Sequence, residues 1–224
     1  MKREHITRKE FLAAGLVTAS LIGIGGVGFA ARQASATYVR PPGISDNEDF
    51  ISRCNRCQRC MQVCPYNIIS PISLGRNIVG VGTPELNFTL GYCDFCMLCT
   101  EVCPTGALRS GTETEKNIGV AKVVHDACVA WDWTGCTVCA DECPVEDAIW
   151  LDEQGRPVVD DSLCDGCGYC EHVCPSFSLR AYDSSVETKG IIVVSRESGA
   201  AHRSGAIDGD TVQQERYRKG SAGS

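Results

Sequence analysis

The chain has 224 residues, 16 of them cysteine, and a formal net charge of −7. That length can bury a real core, so cysteine is not needed as a staple for a small fold. The acidic balance makes the chain a poor partner for phosphate backbones, and no nucleic-acid role is expected.

Residues 1–36 read as an export signal. Lys2, Arg3, Arg8 and Lys9 form a basic head, an uncharged stretch runs from Leu12 to Ala31, and Ala34-Ser35-Ala36 is a small-residue cleavage site. The stretch from Thr7 to Leu12 is similar to a twin-arginine signal, with Lys9 where the second arginine is expected. About 20 apolar residues are also enough for an uncleaved anchor; the glycines that dilute the stretch favour export. The signal takes 5 basic and 2 acidic residues with it, leaving 16 against 26.

Residues 37–183 then carry one motif four times. The runs are Cys54-Cys57-Cys60-Cys64, Cys93-Cys96-Cys99-Cys103, Cys128-Cys136-Cys139-Cys143 and Cys164-Cys167-Cys170-Cys174. Each ends in Cys-Pro, no cysteine lies outside them, and their last cysteines are 39, 40 and 31 residues apart. This is an internal repeat. Between runs the pattern predicts a helical turn after Cys-Pro, then a strand, a tight turn and a returning strand, as in AIWLDEQGRPVVDDSLC from Ala148 to Cys164. The same order is expected between runs two and three, from GALRS to VAKVVHDAC. Residues 71–90 read as loop and strand, since GVGTPE lacks the third glycine of a dinucleotide loop. Residues 184–224 read as a mobile tail, to which Gly190 to Val194 adds one strand. The fold class expected is α+β: two bacterial ferredoxin-like two-cluster units with small antiparallel hairpins and short helices.

The spacing C-x2-C-x2-C-x3-C-P is the ligand run of bacterial [4Fe–4S] ferredoxins. Three soft thiolates on one tight loop cap a compact cluster, and proline after the fourth turns the chain away. Zinc would leave the third cysteine of each run surplus. Haem attachment needs a histidine after C-x-x-C, which no run has. Cysteines three apart would strain or compete as disulfides. Four [4Fe–4S] clusters on sixteen cysteine ligands are therefore expected. Cys128 is kept as a ligand although seven residues separate it from Cys136. Trp131 and Trp133 in that insertion are expected to shield the cluster from water.

Sixteen thiols for four cubanes leave no iron open to a substrate. His5, His125, His172 and His202 are scattered, so no catalytic residue is predicted. His172, between Cys170 and Cys174, is expected at the surface. Arg53, Arg56 and Arg59 stand out as a basic loop on an acidic chain, either a docking face or an ordinary solvated one.

The twin-arginine-like start, the four runs, Gly82-Thr83-Pro84 and the stretched third run CVAWDWTGCTVCADECP together resemble the NapG/MauM ferredoxin-type proteins, over roughly residues 7–182. The resemblance implies a periplasmic protein that takes electrons from a membrane-bound, quinol-oxidising polyferredoxin and passes them to a periplasmic c-type cytochrome or a reductase such as nitrate reductase. Membrane contact would come through that partner. An electron-transfer subunit of a periplasmic molybdenum enzyme or hydrogenase is the alternative. A redox sensor would need an output domain, for which Cys64 to Cys174 leaves no room. Whether the runs pair in sequence or nest, first with fourth, stays open at this level.

Overall fold

The computed structural model describes residues 38–44, 46–111, 117–132, 135–179 and 188–196. The expected signal, most of the expected tail and Trp133 lie outside them. Among the described residues no helix is long and apolar enough to cross a membrane.

Among the described residues there are seven short helices and six short strands. The helices are α1 (Asn47–Arg53), α2 (Arg59–Val63), α3 (Leu98–Glu101), α4 (Val129–Asp132), α5 (Val138–Asp141), α6 (Tyr169–Val173) and α7 (Ser176–Leu179). The strands are β1 (Ile69–Pro71), β2 (Pro84–Leu86), β3 (Val120–Val123), β4 (Ile149–Leu151), β5 (Pro157–Val159) and β6 (Ile191–Val194). They form three antiparallel pairs: β1 with β2, β3 with β6, and β4 with β5. The α+β class is as expected.

Two hairpins follow from local sequence. In β4–β5, Trp150 faces Val158. Gly155 takes φ +76° in the turn, and one oxygen of Asp152 accepts the N–H groups of Gln154 and Arg156 at 2.9 and 2.8 Å. Only a residue tolerant of the left-handed region closes such a loop without strain. In β1–β2, Ser70 faces Glu85. Buried Arg40 steadies the start of β2 by donating to the Thr83 hydroxyl at 2.9 Å and the Pro84 carbonyl at 2.8 Å.

One expectation is corrected. Among the described residues, strand β3 after run two has no local return partner. It pairs with β6, Ala121 facing Val193, from the stretch read as tail. All four residues of β6 are buried, which is why this segment is part of the body rather than appended to it. GALRS has no β-branched residue with which to compete for the same edge. The first half shows the same logic, since the Arg109 N–H after run two donates to the Gly43 carbonyl before run one at 2.9 Å. A strand or extended segment before one run thus meets its counterpart after the next. The core links both halves through Val39, Phe50, Ile68, Leu86 and Phe88 on one side, and Val120, Ala121, Ile149 and β6 on the other.

Candidate iron–sulfur centres

Runs one, two and four wrap their first three cysteines around a bend of the same shape. In run one, Arg56 and Gln58 take φ of 58° and 64°; in run two, Phe95 and Met97 take 55° and 60°; in run four, Gly166 and Gly168 take 78° and 82°. These are the residues just before and just after the second cysteine. Left-handed residues alternating with right-handed ones turn consecutive N–H groups to one side, which makes a concave anion cradle. Run three keeps half of it, with Gly135 at 109° and Thr137 at −118°.

The N–H two residues on from a cysteine favours its sulfur's charged form in several runs: Ala130 for Cys128, Phe95 for Cys93, Leu98 for Cys96, Gly166 for Cys164 and Tyr169 for Cys167. More distant donors add to this. The Leu108 N–H reaches Cys103 Sγ and the Ala121 N–H reaches Cys164 Sγ, both at 3.4 Å.

The fourth cysteine of each run leaves its own loop. A single helical turn separates it from the third and carries it about 5 Å along the axis, to line a neighbouring hollow. Cys54, Cys57 and Cys60 share theirs with Cys103. Cys93, Cys96 and Cys99 share one with Cys64. Cys128, Cys136 and Cys139 share a third with Cys174. The three hollows are alike in size. The remaining thiols are also neighbours, since Cys164 acts electrostatically on both Cys143 and Cys170, and Cys167 acts on Cys170. We number these sites one to four by the run that supplies three cysteines.

None of the sixteen cysteines is joined in a disulfide. Burial, and then the charge of neighbouring thiols, pushes Cys99 and Cys139 up to about 12. Burial also lifts Cys60 to about 11 and Cys93 to about 12. A lone thiolate is therefore disfavoured in these hollows, whereas a bound cation removes the proton outright. Among the described residues, no three His, Cys, Asp or Glu side chains close tightly enough to hold a single metal ion. The four-thiol donor sets and the inward N–H groups fit a negatively charged body bound by four thiolates. A [4Fe–4S] cluster meets that description.

Cys128 reaches its hollow despite the insertion because Val129–Asp132 coils into α4. Trp131, on α4, stacks on His125 with ring centroids 3.5 Å apart, and the Arg156 guanidinium lies 4.8 Å from the Trp131 ring. Its place is thus a packed cover over the insertion. Arg56 and Arg59 are exposed beside exposed Cys57; Arg56 donates to the Val79 carbonyl at 3.2 Å, and Arg53 pairs with Asp49 at 2.7 Å.

His172 departs from expectation. Its Nδ1 is buried without a hydrogen-bond partner, and its ring lies 6.3 Å from that of Tyr92, because α6 turns it inward against the first half. Two other groups had no sequence signal. Lys189 donates to the carbonyls of Glu171 and His172 at 2.5 and 2.8 Å, and burial lowers its pKa while the Glu171 charge pulls it back. Buried Glu171 sits beside Cys170.

The chain matches a 4Fe-4S dicluster domain over residues 53–108, a second 4Fe-4S dicluster domain over 92–148 and a 4Fe-4S binding domain over 157–178. The first two overlap on run two, so motif matching alone leaves the partner runs open. The methylamine utilization ferredoxin-type protein MauM of Paracoccus denitrificans (strain Pd 1222) is 34% identical over 190 residues, covering 77% of this chain and 84% of that protein. The ferredoxin-type protein NapG of Escherichia coli (strain K12) is 30% identical over 187 residues, covering 75% and 80%. NapF of the same organism is 32% identical over 146 residues, covering 64% and 84%. With relatives this similar over most of their length, the chain belongs to the NapG/MauM group of ferredoxin-type iron–sulfur proteins.

Proposed function

We propose that the sixteen cysteines hold four [4Fe–4S] clusters in two sequential two-cluster units, runs one with two and three with four. In this reading the protein relays electrons in the periplasm, from a membrane-bound quinol-oxidising partner to a c-type cytochrome or a reductase such as nitrate reductase. The observation that carries the reading is the exchange of fourth cysteines: at sites one, two and three the hollow takes three thiols from one run and one from its sequential partner.

When bound, each cluster supplies a one-electron couple. The chain supplies the rest. Buried apolar neighbours such as Phe50, Leu86 and Ile191 keep water from the hollows, and N–H groups aimed at the sulfurs stabilise their negative charge, which tunes potential. Cysteine ligation of every iron leaves no substrate position, so the chain acts as a conductor and not as an enzyme. Export with residues 1–36 as a twin-arginine-like signal suits cofactors that are built before crossing.

The test is an anaerobic redox titration followed by EPR, with iron quantified on the same sample. About 16 iron per chain is expected, with couples that a quinol can reach. Iron far below that in unoxidised protein overturns the four-cluster reading. Four couples at or below about −400 mV overturn the quinol assignment in favour of a low-potential donor.

A further inference from the structure

We propose that the two units conduct through one junction, where the run-two loop meets the run-four loop, so that electrons use the sites in the order one, two, four, three. The inference rests on the four-cluster reading above.

The Cys93 N–H donates to the Cys167 carbonyl at 2.8 Å. A thiol of site two and a thiol of site four are thus joined through two short backbone segments and a single hydrogen bond. Aromatic packing flanks this contact, which also borders an open cleft lined by Cys93, Cys143 and Cys167. The Tyr92 ring, next to Cys93, lies 4.6 Å from Tyr66 and 4.5 Å from Tyr169 by ring centroids. Tyr66 follows Cys64-Pro65, and Tyr169 sits between Cys167 and Cys170, so the three rings span both sites from one unit to the other. Beside them, Phe88 of the first unit packs so closely on Gly168 of the second that an added Cβ would lie 2.0 Å from its ring.

Within each unit the link is different. Cys60 and Cys64 flank one helical turn and face sites one and two; Cys99 and Cys103 do the same in reverse. The second unit repeats this with Cys139 and Cys143, and with Cys170 and Cys174. Helical turns therefore join one to two and four to three, and the Cys93–Cys167 contact joins two to four. One electron leaves site two as one arrives at site four, with no bond made or broken and no proton required.

The prediction departs from chain order and is read by EPR spin coupling between reduced sites, independent of any partner. The holoprotein is assembled anaerobically, its iron is counted, and it is reduced with dithionite. Cys96→Ala removes site two and should leave one uncoupled site beside a coupled pair, at about 12 iron. Cys167→Ala removes site four and should do the same from the other side. Cys57→Ala removes site one and should leave three sites coupled.

If the units met through sites one and three, Cys96→Ala would leave no uncoupled site. If they met through two and three, Cys167→Ala would leave none. Either result overturns the order proposed. Serine versions of the same three variants replace any alanine variant that fails to assemble. Wild-type iron far from about 16 would instead fault the four-cluster reading itself, separately from the order.

Discussion

The carboxylate of Glu171, 1% exposed, accepts the N–H of Val193 at 2.7 Å. Val193 faces Ala121 across the β3–β6 pair, so this bond ties the strand from the chain's far end to the helical turn that carries Cys170. Glu171→Ala leaves a buried N–H without its acceptor, at a cost of about 1–3 kcal/mol. The expected outcome is a lower denaturant midpoint, with iron lost first from sites three and four. A midpoint equal to wild type would mean the bond does not hold the strand.

Gly168 and Gly155 both adopt left-handed backbone, yet their substitution should differ. At Gly155 an added Cβ meets nothing within 4 Å, so Gly155→Ala should cost about 1–2 kcal/mol of backbone strain. At Gly168 the Phe88 ring occupies the space, and overpacking adds about 3 kcal/mol or more. Unfolding of the two variants side by side checks this; equal losses would mean Phe88 can move aside.

Solvent access predicts the order of damage. Cys57 and Cys96 are exposed, whereas Cys164, Cys167 and Cys170 are 8%, 8% and 6% exposed. Air or a chelator should strip site one before site four. Alkylation during the loss, located by peptide mass spectrometry, should label Cys57 well before Cys170; the reverse order would contradict the burial pattern.

The raised thiols set a pH dependence for the iron-free chain. Folding favours the protonated thiol at Cys93, Cys99 and Cys139, each lifted from 9.0 to about 12. Their contribution is fully present below pH 9 and is lost as pH rises through about 12. Thermal melting of the iron-free chain should fall across that window. Loading requires the opposite protonation state, so it should release protons at neutral pH and weaken in acid. Loading without proton release would show that these thiols are already ionised.

Much of the site was legible beforehand because the relevant geometry is short-range. Three thiols at spacing three on one loop must face a common point, and Cys-Pro must redirect the chain. The turn at Asp152 to Gly155 follows from residues within five positions of one another. The surroundings were less legible. Tyr66, Tyr92 and Tyr169 each stand within two residues of a cysteine, yet nothing local says that they meet. Nothing in the sequence marks Arg40 or Lys189 as cations that the fold buries against carbonyls.

By itself, then, the sequence determined the donor chemistry: four cysteine runs, their bends, and one hairpin between runs three and four. Only the tertiary structure decided which run shares a hollow with which, that β3 takes its partner from beyond run four, and that Cys93 meets Cys167. The physical reason is that all four runs offer the same four thiols and three of them share one spacing, so local energetics cannot rank their partners. The choice falls to packing between segments far apart in the chain, where the buried side chains of β6, Phe88 on Gly168 and the tyrosine cluster favour one arrangement over its alternatives.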